Sequence, residues 1–520
     1  MDDDELTAEI QAQVDEWSSN SNECTTLQLV RGDGSIAASF KPEFTYPIFG
    51  NEEAIFGYRD LNIVISFAAH NLRPRLRVQY RDIFKAQVEV RPTDIAEALS
   101  DYLPAGALAQ DASEESAAEA VGFVPPGERI HEYSRDGLAY EIWCASLADA
   151  RAKQLLENMQ IFVPMFIEGG TMLQLEKDWT AQRWKLFLLY DVDRKISQGS
   201  PYTLVGYGTS YRVFTLPDRQ KPSPADLDLF TSTTASLEHL IASTAHQPTI
   251  ISSPSELPSR ERLSQFVILP DFQGCGHGRH LYNTMYTHLT TPPNVREFTV
   301  EDPNEAFDDL RDLCDLLYLR RHSPAFAALR INTNVPAPQL ASTAPIPTDL
   351  IVSGAIRESI MRQTKIMPRQ FDRMVEMHTL SFIPPLHRSR NRLTKREHSA
   401  NEHDKAYYFW RMYVKQRLYV FNRDQLAQVE RQERIEKLEG ALDSVQEGYA
   451  KMLEKVEARE SEAAVEGDGG QMVVEGAAAP KVRKRKVVGD DEEDDEEEEK
   501  ANGEGSTAVN GYKKARISVA

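Results

Sequence analysis

The stretch that most constrains this chain runs from Leu263 to Tyr282. There a strand, Leu263 to Leu269, enters a glycine-dense loop, and the loop opens a helix. Gly274, Gly276 and Gly278 remove the Cβ atoms that would keep a ligand away from the backbone. Free N–H groups at the helix start then face that ligand, with the positive end of the helix dipole behind them. The pattern is a phosphate cradle, and its spacing narrows the choice. A dinucleotide fingerprint needs G-x-G-x-x-G, and here the third glycine position is Arg279. A P-loop needs G-x-x-x-x-G-K-[ST], and the sequence has no such run. What the loop contains is Gln273-x-x-Gly276-x-Gly278. On the loop alone, a glycine-rich turn with no ligand stays open.

That spacing resembles motif A of the GNAT superfamily of N-acetyltransferases. After the helix comes a strand that ends in Thr299-Val300-Glu301-Asp302-Pro303-Asn304-Glu305, followed by Ala306-Phe307-Asp308-Asp309-Leu310-Arg311-Asp312. With this run the chain resembles the catalytic subunits of type B histone acetyltransferases, of the fungal type with an extended charged C-terminus. Phe49 to Tyr58, Met165 to Glu168 and Val205 to Tyr207 carry the same resemblance, which covers roughly residues 3 to 430. It misses Leu216 to Ser259, longer than the connection usual there, and the charged tail. The resemblance implies an α/β, mixed-sheet GNAT fold with an N-terminal α/β domain and a helical C-terminal domain. It implies an acyltransferase that uses acetyl-CoA and no metal. The substrate it implies is histone H-four, newly made and not in nucleosomes, accompanied by its histone partner. A WD-repeat β-propeller histone-binding subunit is the implied companion. Roles in histone deposition, chromatin assembly and DNA repair, in nucleus and cytoplasm, follow from the same likeness.

Transfer to lysine meets one obstacle. Free lysine titrates near 10.4, so at neutral pH it is an ammonium and cannot attack a thioester. A carboxylate with a raised pKa can take the proton. The resemblance implies three candidates, Glu301, Glu168 and Asp302. Asp302-Pro303-Asn304-Glu305 reads as a helix start with Asp302 as N-cap, Pro303 at N1 and Glu305 at N3, which gives Asp302 a capping job. Glu301 ends a strand beside the cofactor motif without such a job, and it ranks first as general base. Glu168 follows the apolar run Ile161 to Ile167 and ranks second, either partly buried or on a solvated edge. By matching positions, Phe266, Val267 and Ile268 would pair their backbone with the pantetheine arm. Gln273, Gly274, Cys275, Gly276, His277, Gly278 and Arg279 would hold the pyrophosphate, with Asn304 and Arg311 near the outer cofactor. Asn51, Glu52, Glu53, Tyr211, Arg212 and Val213 would meet the histone tail, where two acids suit a Lys/Arg-rich peptide. Cys275 reads as a small residue filling a tight loop, since no acid or His at a recognisable spacing activates it.

Charge agrees with a basic substrate. Lys and Arg number 59 against 80 Asp and Glu, a net charge of −21. That argues against direct nucleic-acid binding and against docking on an anionic membrane, and it speeds encounter with basic partners. The acidic start, Met1 to Glu5, is unlike a secretory signal, and no stretch reaches the roughly 18 apolar residues of a spanning helix. Four cysteines, none close to another, form neither a disulfide framework nor a zinc spacing, so the chain reads as soluble, reducing and intracellular.

Four parts are expected along the chain. Residues 1–150 form the N-terminal domain, with Leu6, Ile10, Val14 and Trp17 on one face of a helix over 3–18 that packs at home or docks a partner. Residues 151–330 hold the acetyltransferase domain, with an insertion at 216–259. Residues 331–460 form helices and an arm with a heptad seam from Ile435 to Val456. Residues 461–520 read as disordered, with a basic cluster Lys481 to Lys486 that is an import signal or a solvated charge run, then ten acids, Asp490 to Glu499. Two readings from other classes compete: a histone-binding scaffold or chaperone without catalysis, and an acetyltransferase of the same fold acting on other amines. A scaffold needs neither the cradle nor Glu301. A minimal acetyltransferase needs neither terminal block.

Overall fold

The computed structural model describes residues 14–86, 90–108, 120–175, 178–196, 199–215, 257–341, 343–393 and 401–468. Most of the helix expected over 3–18, most of the insertion and the charged tail from 469 lie outside the described residues. The chain forms two compact units, Met1–Cys314 with Gly354–Met374, and Asp315–Ser353 with Val375–Ala520.

The first unit contains two larger sheets. Strands β1 (Thr25–Val30), β2 (Ile36–Phe40), β3 (Asn62–Ala68) and β4 (Pro74–Gln79) lie in the order β2-β1-β3-β4. Alternation decides their faces: in β1 every second residue is buried, so Leu27 and Leu29 point inward. The second sheet has six strands, β5 (Glu128–Arg135), β6 (Leu138–Ser146), β7 (Trp184–Val192), β8 (Tyr202–Phe214), β9 (Ser259–Ile268) and β10 (Val295–Val300). They stand in chain order, antiparallel throughout except for the parallel pair β9–β10. Helices α1 (Ala150–Met159) and α2 (Phe162–Phe166) precede β7, and α3 (His277–Thr290) crosses over between β9 and β10. This is the mixed α/β arrangement of a GNAT-like N-acetyltransferase.

One core joins the two sheets. Leu27, Ile65 and Phe67 belong to the same buried cluster as Phe162, Leu188, Tyr207 and Leu269. A domain boundary at 150 is therefore not what the packing gives. β5 and β6 already belong to the six-stranded sheet, and burial of a shared apolar interior ties both sheets together. Residues 354–374 also return to this unit. There α5 (Gly354–Thr364) follows α4 (Glu305–His322), Ile366 bridges Phe298 in parallel, and the Tyr286 hydroxyl donates to the Thr364 carbonyl at 2.5 Å.

The second unit is helical among its described residues. The boundaries between the units fall within α4 and within α6 (Pro368–Ser381); α7 (Glu402–Phe421) and α8 (Arg431–Asp468) follow. The seam expected for an arm is spent inside the unit. Leu442, Tyr449, Met452 and Val456 are buried, and Arg411 and Lys415 of α7 pair with Glu439 of α8. The helix also continues past 461, where disorder was expected. Ser461 to Glu466 contains strong helix formers, alanine and glutamate among them.

Candidate active site

The cradle is built by a strand that runs out of partners. β9 pairs with β8 as far as Gly206↔Ile268, but with β10 only to Leu263↔Val300, where the Glu301 N–H donates to the Leu263 carbonyl at 2.9 Å. Beyond that point β10 turns away. The edge of β9 from Ser264 to Ile268 that faces away from β8 has no strand partner among the described residues. An extended chain such as a pantetheine arm can add to an edge of this kind. Along it Val267 is buried, while Phe266 and Ile268 are half-buried, and the Phe266 ring meets Phe307 edge-on at 5.0 Å.

A short turn, Pro270–Phe272, then delivers the glycines. Gly274 and Gly276 have φ of +71° and +80°, the left-handed region that favours glycine. Gly276 is the N-cap of α3 and offers no side chain, so the first N–H groups of the helix keep their donor capacity. A Cβ on Gly276 would stand 2.5 Å from Nη1 of Arg135. Gln273 ties the loop back, donating from Nε2 to the Ile268 carbonyl at 2.8 Å. Cys275 is exposed on the loop.

The histidines of α3 face inward. His277 is buried, and its Nδ1 lies 2.7 Å from the Tyr133 hydroxyl. Only its backbone N–H is available to a ligand in the loop. Burial first, then the nearby Arg135 charge, holds its pKa below the usual histidine value. His280 stacks on Tyr133 at 3.8 Å between ring centroids, and burial with the charges of Arg279, His131, His277 and Arg135 lowers it to about 4. Both rings are therefore neutral at pH 7, and the side-chain cations near the loop are Arg135 and Arg279.

Glu301 stands where β9 and β10 part. Its Oε1 accepts from the Tyr211 hydroxyl at 3.1 Å and its Oε2 from Ser264 Oγ at 2.7 Å, with Arg262 Nε 3.7 Å from Oε1. The carboxylate is oriented on both oxygens yet remains 35% exposed. Burial first, then the Glu301 charge, raises the Tyr211 pKa, so this hydroxyl keeps its proton and serves as a donor.

Asp302 is not a cap. It is exposed with φ +31°, and α4 begins after Asn304, whose Oδ1 accepts the Phe307 N–H at 2.9 Å. The positive φ of Asp302 is not the extended backbone that an N-cap residue takes, so the helix does not open there. Asn304 thus spends its oxygen on the helix, and Arg311 is only 4% exposed, nearly as closed as His277.

On the peptide side the proposed residues divide. Asn51 and Glu52 are exposed on a turn. Glu53 is committed: Oε1 accepts the N–H groups of Thr45 (2.7 Å) and Tyr46 (3.1 Å), and Oε2 accepts Asn22 Nδ2 (2.7 Å). Tyr46 in turn accepts the Gly169 N–H at 3.1 Å, which links this loop to the exposed turn that carries Glu168. That turn is linked onward to β9, since Gln265 Nε2 donates to the Thr171 carbonyl at 3.1 Å. In β8, Tyr211 reaches Glu301, whereas Arg212 turns to the buried Glu261, with Nε at 2.8 Å and Nη2 at 2.7 Å. Val213 is half-buried beside them. Sequence reading missed Ser264, Arg262 and Arg135. Ser264 carried a signal, being one of two polar residues, with Gln265, in the run to Leu269; Arg135 carried none.

The chain matches the family described as Histone acetyl transferase HAT1 N-terminus over residues 17–168. It is 38% identical over 465 residues to the histone acetyltransferase type B catalytic subunit of Aspergillus oryzae, covering 86% of this chain and 87% of that one. To the protein of the same name from Gibberella zeae it is 37% identical over 457 residues, covering 85% and 91%. To that of Yarrowia lipolytica it is 31% identical over 462 residues, covering 85% and 93%.

Proposed function

Since the chain belongs to the family of histone acetyltransferase type B catalytic subunits, an acyltransferase family, we propose that it acetylates lysines in the N-terminal tail of free histone H-four with Glu301 as general base. One observation carries this reading: Glu301 sits at the divergence of β9 and β10, with the glycine cradle at the far end of the same strand β9. The residues fit the co-substrate, because an open strand edge suits an extended arm and a glycine N-cap leaves N–H groups for its phosphates. Acetyl-CoA, when bound, supplies the thioester whose acetyl group is transferred.

The chain's own work is then as follows. Phe266, Val267 and Ile268 hold the arm by their backbone. Gln273 to Arg279 hold the pyrophosphate, His277 through its N–H alone. Glu301 takes the proton of the incoming lysine ammonium on a carboxylate oxygen, which frees the amine for attack. Tyr211 and Ser264 fix that carboxylate. Glu52 and Asn51 offer polar contacts to the basic tail, and Glu168 adds a second exposed acid. Glu168, as base or as a lysine-positioning group, and Asp302 are the remaining alternatives. The histone partner of H-four and a WD-repeat β-propeller subunit are the proposed companions, with action in nucleus and cytoplasm during histone deposition, chromatin assembly and DNA repair.

The test is acetyl-CoA with a panel of free core-histone tail peptides and mass mapping of the products. Acetyl groups concentrated on H-four tail lysines support the reading. Preferential acetylation of another tail, or of the peptide N-termini, overturns it.

A further inference from the structure

We propose that Arg135, at the end of edge strand β5, is a ligand for the diphosphate of the co-substrate and forms the side-chain wall of the cradle. The proposal rests on the acetyl-CoA reading above and adds a residue that lies outside the glycine motif. Its guanidinium lies against the glycine N-cap of α3: Nη1 stands 2.5 Å, and Cζ 3.7 Å, from the place of a Cβ on Gly276. The position is built, not incidental. Tyr133 precedes Arg135 by two residues, so both side chains leave the same face of β5. Tyr133 is pinned to α3 by its stack on His280 and its contact with His277 Nδ1. That pinning carries Arg135 over the loop.

The electrostatics ask for an anion there. A helix N-terminus already carries positive potential, and a cation placed on it is repelled. The acid paired with Arg135 is Asp136, with Nε–Oδ2 at 3.6 Å and side chains 36% and 88% exposed. That separation is beyond a hydrogen bond, and so exposed a pair contributes little. In a chain of net charge −21, a guanidinium held against a helix start with so weak a partner fits a bound anion. A guanidinium also has the fork geometry to grip two phosphate oxygens at once. His277 and His280 stay neutral, so they do not supply this charge.

Titration calorimetry with three ligands tests the assignment: acetyl-CoA, its 3′-dephospho form, and acetyl-pantetheine, which has no phosphate. The proteins are the unaltered chain, Arg135→Gln and Arg135→Lys, with thermal melts to confirm folding. Arg135→Gln should weaken acetyl-CoA and the dephospho form equally, by about 10- to 100-fold, the usual range for a lost charge-assisted hydrogen bond. Acetyl-pantetheine should be unaffected, and Arg135→Lys should recover part of the loss. Unchanged acetyl-CoA affinity, an equal loss for acetyl-pantetheine, or a loss confined to the ligand with the 3′-phosphate would each overturn it. If the unaltered protein binds none of the three ligands, the acetyl-CoA reading itself fails, and that outcome is separate from the three above.

Discussion

Glu301 of the first unit and Glu376 of the second are held by similar groups in opposite surroundings. Both accept a hydrogen bond from a tyrosine and both lie near an arginine. Glu376 is 0% exposed, with Arg417 bidentate at 2.6 and 2.8 Å and the Tyr449 hydroxyl at 2.7 Å. Glu301 is 35% exposed, its arginine stands back at 3.7 Å, and hydroxyls rather than a guanidinium hold its oxygens. A buried carboxylate needs a full counter-charge, because desolvation would otherwise dominate. A carboxylate that must collect a proton needs orientation and access instead. The pair shows that partner type alone does not set a carboxylate's surroundings; the closeness of the cation and the opening to solvent separate the two.

The sharpest way to break the contrast is to neutralise each carboxylate in turn. Glu301→Gln should lower the turnover number by roughly 10²- to 10⁴-fold while acetyl-CoA affinity and the melting temperature hold. Steady-state kinetics alongside calorimetry read both; a larger fall from Asp302→Asn in a folded protein would move the base to Asp302. Glu376→Gln should do the reverse. It leaves Arg417 without its buried counter-charge and should cost about 3–5 kcal/mol in urea unfolding, with turnover per folded molecule unchanged.

Smaller changes sharpen the comparison. Ser264→Ala removes one donor from Glu301 and should cost about tenfold in turnover, near the low end for a hydrogen bond to a charged group. Ser264→Thr should restore most of it, and the pH–rate profile should move with Ser264→Ala, which a purely structural serine would leave in place. Least of all, Asn304→Ala should cost about 1 kcal/mol of stability as a lost cap. An unchanged melting temperature in that variant would take the cap away from Asn304.

Much of the site was legible because its parts are local. The strand, the glycines and the helix of the cradle follow one another from Leu263 to Thr290, and α3 begins at His277, inside the glycine loop. Glu301 was legible as a strand end for the same reason. The cap was misread because Asp302-Pro303-Asn304-Glu305 contains two residues that can cap, and the sequence pattern favoured the one with proline after it. Glu53 was counted as a peptide contact, but its two oxygens serve Thr45, Tyr46 and Asn22. No local rule announces that commitment.

The sequence by itself determined the family, the glycine turn and the order of the strands around it, since each depends on residues close in the chain. The tertiary structure alone decided which charges meet. Tyr211 and Glu301 lie 90 residues apart in sequence, and Arg135 and Gly276 are more remote still. It also decided that the N-terminal and central sheets share one core and that the heptad seam of α8 closes within its own unit. The physical reason is range. Backbone preferences and periodicity act over a few residues and can be read along the chain, whereas hydrogen bonds, burial and charge pairing depend on distance in space, which folding sets.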